Sequence, residues 1–291
     1  MLSQEILKKI QALHFKTKRM ANNLFAGQYV SAFKGRGMEF SEVREYTPGD
    51  DIRTIDWNVS ARHNHPFVKV FHEERELTVI LLIDISASNQ FGTHNKLKRE
   101  LLAETAAMLA FLAVRTNDKV GALLFSSKVE KYIPPKKGAS HVWRLIKEIF
   151  TYEPEERKTN IANALGFINK VAKRHSIVFL LSDFIDQGYE KELRLTARKH
   201  DLTAVCIKDK AEDELPDAGF VSVKDPETNE TLIINTSKKS IREKWLEHTF
   251  KEKRALSEMF ARTGVDLVEL YTDRDVVEPL LKVFETKGRR H

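Results

Sequence analysis

Leu81-Leu82-Ile83-Asp84-Ile85-Ser86-Ala87-Ser88 decides the fold, because an apolar run breaks there into three oxygen-bearing side chains. Leu77 to Ile83 is almost uninterruptedly apolar, the mark of a strand buried on both faces of a parallel sheet. Asp84, Ser86 and Ser88 then fall at its carboxyl end, ahead of a loop carrying Gly92 and a helix. In open α/β sheets the crevice beyond the carboxyl ends of the strands is where ligands bind. A carboxylate and two hydroxyls at alternate positions of a tight loop can ring a small hard cation with oxygen, and Mg2+ is the candidate. The same pattern also arises in turns, where Asp and Ser bond their own backbone.

Two later segments favour the ligand-binding reading. Lys158-Thr159-Asn160-Ile161-Ala162-Asn163-Ala164-Leu165 reads as a loop entering a helix, with Thr159 or Asn160 placed to cap it. Ser176 to Leu181 is another buried apolar strand, ending in Ser182-Asp183-Phe184. Thr159 and Asp183 therefore belong to loops that can reach the same sheet edge. The set Asp84, Ser86, Ser88, Thr159 and Asp183 resembles the metal-ion-dependent adhesion site of von Willebrand factor type A domains. That resemblance implies direct coordination of Mg2+ or Mn2+ by the Ser86, Ser88 and Thr159 hydroxyls, with Asp84 and Asp183 acting mostly through water. An ion so held keeps its charge and can take a carboxylate from another protein.

Catalysis needs a positioned base or a second metal beside the ion. The chain carries no His-Glu-x-x-His, Gly-x-Ser-x-Gly or Walker-type glycine loop. A phosphatase with an Asp-x-Asp nucleophile is the nearest enzymatic competitor, but Ser86 stands where its second carboxylate belongs. The expectation is a non-enzymatic interaction module. A hydrolase using Asp183 or Asp186 as base is the minor alternative, and a nucleic-acid-binding protein is the other.

Composition frames these readings. With 291 residues, 42% of them hydrophobic, the chain can build a substantial core. Its 48 basic and 42 acidic residues give a net charge of +6 on a surface dense in both signs, which does not demand nucleic acid. An aromatic-and-basic stacking surface is missing, which also counts against that partner. No apolar stretch approaches the length of a membrane span, and Met1 to Ile10 is amphipathic and Lys-bearing rather than a signal peptide. Basic residues from Lys8 to Arg19 leave peripheral contact with an anionic membrane open. The single cysteine, Cys206, lies in an apolar strand candidate, so no internal disulfide forms and a reducing, cytoplasmic setting is expected.

Along the chain, residues 1–76 read as an N-terminal helix (about 3 to 24) and a polar arm, irregular from Gly27 to Glu76. Residues 77–291 read as one doubly wound α/β domain with a mostly parallel sheet and helices on both faces. Strands are expected at 77–83, 118–125, 129–133 (ended by Pro134-Pro135), 176–182, 202–207 and 265–270. Helices are expected near 95–116, with Leu97, Leu101, Met108 and Leu112 inward, and near 139–150, 160–173, 189–199, 238–262 and 274–286. Gly219 to Thr236 reads as a β-hairpin insertion. In the arm, Pro48-Gly49 suits the centre of a type II turn. The surrounding Arg44, Asp50, Asp51, Arg53, Asp56 and Arg62 suggest an ion-pair knot fastening the arm to the α/β domain.

The arm pattern, Gly35-Arg36-Gly37-Met38-Glu39-Phe40 with Arg44-Glu45-Tyr46-Thr47-Pro48-Gly49-Asp50, runs on through Pro66-Phe67-Val68-Lys69 and Glu73-Glu74-Arg75-Glu76 into the Asp84 motif. In that order it resembles the bacterial family called domain of unknown function fifty-eight, over about residues 27 to 225. The resemblance implies a von Willebrand factor A-like protein working with a MoxR-type AAA+ ATPase in assembly or activation of client proteins. Asn89 departs from the methionine common after the second serine. The amino-terminal membrane spans of many relatives are not matched here, so membrane attachment is not carried over.

Overall fold

A computed structural model describes residues 23–33, 39–63, 65–72, 76–93, 96–224 and 230–290. Helix α1 (Asn23–Phe33) comes first, followed by strand β1 (Glu39–Glu45), a 3-10 turn (Ile52–Thr54), helix α2 (Trp57–His63) and strand β2 (Phe67–His72). β1 and β2 pair antiparallel. The arm is thus more regular than the sequence reading expected, with a helix over Asn23–Phe33 where an irregular segment was expected from Gly27. Residues 3–22 of the expected helix, and Gly35 to Met38 and Glu73 to Arg75 of the arm pattern, lie outside the described residues.

Three of the arm's ion pairs are internal, while Glu76 at its end pairs with Lys119 at 3.0 Å and Lys137 at 2.5 Å in the α/β domain. Arg44 donates two hydrogen bonds of 2.7 Å to Asp50 across the Pro48-Gly49 turn. Gly49 has φ +114°, a value that favours glycine. Lys69 lies 3.5 Å from Asp56, and Arg53 3.1 Å from Asp51. Among the described residues these three pairs are internal to the arm and partly solvated, so they close its turns and do not form the expected fastening to the α/β domain.

The chain then alternates through β3 (Thr78–Asp84), α3 (Lys98–Arg115), β4 (Lys119–Phe125), β5 (Val129–Lys136), α4 (Ala139–Thr151), α5 (Ile161–Val171), β6 (Ile177–Ser182), α6 (Glu190–Lys199), β7 (Asp201–Lys208) and the single turn α7 (Lys210–Asp213). A hairpin of β8 (Phe220–Lys224) and β9 (Thr231–Asn235) follows, then the long α8 (Lys239–Thr263), β10 (Asp266–Tyr271) and α9 (Val277–Arg290). Six strands form one sheet in the order β10-β7-β6-β3-β4-β5. Only the β4–β5 pair is antiparallel. This is the doubly wound architecture the alternation of elements predicts.

Side-chain alternation explains the two helical layers. Val79, Leu81 and Ile83 point to one face, where they pack with Leu101, Leu109 and Leu112 of α3 and Leu145 of α4. Ile80 and Leu82 point to the other, against Leu165 and Ile168 of α5, Leu193 of α6 and Phe260 of α8. Both faces are covered, which is why β3, β4 and β6 read as continuous apolar runs. α1 joins the first layer through Tyr29 and Phe33, whose rings lie 5.9 and 5.4 Å from that of Phe284 in α9.

β5 does not stop at Pro134 as expected but continues through both prolines to Lys136. It is the edge strand, where a missing N–H costs no ladder bond. Opposite it, Gly121 leaves the necessary room: a Cβ there would lie 2.8 Å from both the Ile133 carbonyl oxygen and Pro135 Cγ.

Candidate functional site

The winding of the sheet fixes where a ligand crevice opens. From β3 the chain moves outward to β4 and β5, then returns to place β6 on the opposite side of β3. The carboxyl ends of β3 and β6 are therefore the topological switch point. β3 ends in Asp84, and Asp183 directly follows Ser182, the last residue of β6.

Asp84 is enclosed by short bonds. Its Oδ1 accepts from the Ser86 amide at 3.0 Å, and its Oδ2 accepts from the Ser182 hydroxyl at 2.5 Å. Ser86 Oγ and Ser88 Oγ share a hydrogen bond of 3.0 Å. Asp84, Ser86, Ser88 and Asp183 are all buried, with exposures of 1, 1, 6 and 6%. Burial pushes the Asp84 carboxyl up to about 7, and the neighbouring Asp183 charge pushes the same way against the bonds from Ser182 and Ser86.

Thr159 arrives on a loop seated on this edge. The Ala87 amide donates to the Arg157 carbonyl at 2.9 Å, and the Asn160 amide donates to that of Ser126 at 2.9 Å. Thr159 sits half-buried between these anchors. Asn160 is the cap of α5, its side chain accepting from the Asn163 amide at 2.8 Å. Asp186 supplies a second cap, accepting from the Ile161 amide at 2.7 Å and from the Gln187 amide at 2.8 Å. Both Asp186 oxygens therefore serve the backbone.

Asn89 is fully buried and bonds the loop that carries the two serines. Its Nδ2 donates to the Asp84 carbonyl at 3.2 Å and to Ser86 Oγ at 3.4 Å. Its Oδ1 is buried and has no hydrogen-bond partner among the described residues. A buried acceptor beside two hydroxyls and two carboxylates is an oxygen-rich environment suited to a hard cation. Among the described residues no three His, Cys, Asp or Glu side chains cluster as metal ligands.

The sequence reading missed Lys98. This first residue of α3 is fully buried, and its Nζ donates to Asp183 Oδ2 at 2.9 Å and to Glu212 Oε1 at 2.6 Å. Burial alone would lower the Lys98 pKa, but the Asp183 and Glu212 charges outweigh it and hold the ammonium above the ordinary lysine range. Asp183 is followed by Phe184 in the left-handed region at φ 59°, a strained conformation for a bulky residue. The Phe184 ring is buried against Phe260 of α8, 5.1 Å between centroids.

Comparison with known proteins places the chain in a family. A family model described as protein of unknown function DUF58 matches residues 42–255. Uncharacterized proteins of Mycobacterium bovis and Mycobacterium tuberculosis are 28% identical over 283 residues, covering 96% of this chain and 89% of theirs. The crystal structure of an aerotolerance-related membrane protein from Bacteroides fragilis superposes with a TM-score of 0.50 at 13% identity, covering 74% of this chain and all (100%) of that one. That of BatB from Bacteroides thetaiotaomicron gives 0.47 at 12% identity, covering 74% and 98%. The fold is von Willebrand factor A-like, and the chain belongs to the DUF58 family of proteins of unknown function.

Proposed function

We propose that this protein is a non-enzymatic interaction module that docks a partner carboxylate through a divalent cation held by Ser86, Ser88 and Thr159, with Asp84 and Asp183 in support. The observation that carries the reading is the buried Ser86–Ser88 hydroxyl pair, 3.0 Å apart, beside two carboxylates at the switch point of the sheet. When bound, Mg2+ or Mn2+ would supply an electrophilic site for an acidic side chain. The chain's own contribution is orientation. Ser182 and the Ser86 amide fix both Asp84 oxygens, and the Arg157 carbonyl holds the serine loop against the loop of Thr159.

Turnover at such a site would also need a free base beside the ion. Asp186, the nearest further carboxylate in the sequence, is engaged in capping α5. The partner we propose, from the family resemblance, is a MoxR-type AAA+ ATPase or one of its client proteins. Among the described residues no helix is long and apolar enough to cross a membrane.

The test is pull-down and calorimetry with the candidate ATPase. Capture in Mg2+ is expected to disappear in EDTA and in Asp84→Ala, while the exposed Glu247→Ala behaves as wild type. Capture that persists in EDTA excludes the metal bridge.

A further inference from the structure

Lys98 is a positive charge built into a site whose other groups suit a cation. Its side chain is fully buried, so it cannot discharge its field into water, and its Nζ lies 2.9 Å from Asp183 Oδ2. Its second partner is not free to move. Glu212 Oε1 accepts from Lys98 at 2.6 Å while Oε2 accepts from the Asp209 amide at 2.9 Å. That second bond belongs to a capping box at the start of α7, where Asp209 Oδ1 also accepts from the Ala211 amide at 3.0 Å. Asp209 is fixed in turn by Thr93 at 2.5 Å and Thr272 at 2.7 Å. The ammonium is thus clamped between one carboxylate of the candidate cation site and one held rigidly outside it.

We infer that Lys98 sets the affinity of the Asp84–Ser86–Ser88–Thr159–Asp183 cluster for divalent cations, with Glu212 drawing part of its charge away from Asp183. The inference rests on the metal-docking reading above and deepens it. A divalent ion near Asp183 must share that carboxylate with a fixed positive charge at hydrogen-bond distance. Removing the charge strengthens ion binding. Removing Glu212 leaves Lys98 paired with Asp183 alone and weakens it. The two substitutions therefore act in opposite directions, which a merely structural role for the lysine does not produce. A site balanced this way is weak in isolation and gains most when a partner carboxylate adds negative charge.

The experiment is Mn2+ titration of the full chain by calorimetry, with thermal melting in EDTA and in Mn2+. The proteins are wild type, Lys98→Met, Glu212→Gln and Ser86→Ala. Lys98→Met is expected to bind Mn2+ about tenfold or more tightly than wild type, and to gain more melting temperature from Mn2+ than wild type does. Glu212→Gln is expected to bind several-fold more weakly, and Ser86→Ala to lose binding. Equal or weaker affinity in Lys98→Met, with Ser86→Ala still losing binding, overturns this inference and leaves the metal reading standing. If Lys98→Met does not fold, Glu212→Gln decides, and unchanged affinity there overturns the inference. Absence of Mn2+ binding in wild type and every variant overturns the metal reading and this inference together.

Discussion

Asp84 and His200 are both buried, and burial moves them in opposite directions. Burial, helped by Lys199 and His175, lowers His200 to about 4 from 6.5, and neither ring nitrogen has a partner among the described residues. Between those values the unfolded chain takes a proton the folded one refuses, so this group makes stability rise with pH. Asp84 runs from 3.8 to about 7. Across that window the folded state keeps a proton the unfolded chain has released, so stability falls as pH rises. The slopes oppose each other in wild type and separate in single variants. In EDTA, urea unfolding of His200→Leu should show stability falling from about pH 4.5 to about pH 7, and Asp84→Asn should show it rising over the same range. Identical profiles in both variants would show that neither group titrates as its burial requires.

The site is only partly legible at this scale. Asp84, Ser86, Ser88 and Asp183 stand out because they fall at or just beyond the carboxyl ends of apolar strands, where ligand crevices open. Lys98 does not, since it sits in Lys96-Leu97-Lys98-Arg99-Glu100 among charges of ordinary helix-surface type. Leu97, expected inward, is 41% exposed as the residue before α3. Lys98 falls on the buried stripe of Leu101, Leu102 and Thr105, and that helical spacing was the available signal.

Among the elements, the edge of the sheet shows how a local rule gives way to position. Pro134-Pro135 reads as a strand stop, yet β5 needs only its inward-facing bonds, and Gly121 lets the proline ring approach. Gly121→Ala is expected to cost about 1 to 3 kcal/mol, because neither the Ile133 carbonyl nor the Pro135 ring can retreat without disturbing the β4–β5 register. Gly166→Ala in α5, where a Cβ meets nothing within 4 Å, should instead gain about 0.4 to 1 kcal/mol. Urea midpoints distinguish the two, and equal effects would mean the edge is looser than its spacing implies. The helices and strands from 77 onward were legible because burial on two faces writes long apolar runs. α1, β1, α2 and β2 were not, because short elements with one covered face leave little periodic signal.

For the whole molecule, the fold is completed by segments beyond the family match. Residues 42–255 end before β10, the sixth strand of the sheet, and α1 and α9 also lie outside them. Tyr29, Phe33, Phe179 and Phe284 form one aromatic cluster joining α1, β6 and α9, with Lys287 pairing Asp201 and Asp266 at its border. Phe284→Ala is expected to cost about 3 to 5 kcal/mol in urea unfolding, since neighbours from three elements cannot all collapse into the void. A loss below about 1 kcal/mol would show that this layer is peripheral to the cooperative unit.

The lone thiol follows from the same packing. Cys206 lies in β7 with no exposed surface, its Sγ 3.7 Å from the Asp183 carbonyl, and burial pushes it up to about 12. A thiol-selective dye has nothing to react with in the folded chain, because the thiolate is both scarce and enclosed. The protein therefore carries an internal clock: in graded denaturant, the rate at which Cys206 is labelled times the opening of the strand beside Asp183. For the same reason, a cysteine introduced at the exposed Phe250 of α8 is the sole labelling position under native conditions, ready for a fluorophore, with no need to remove the native thiol.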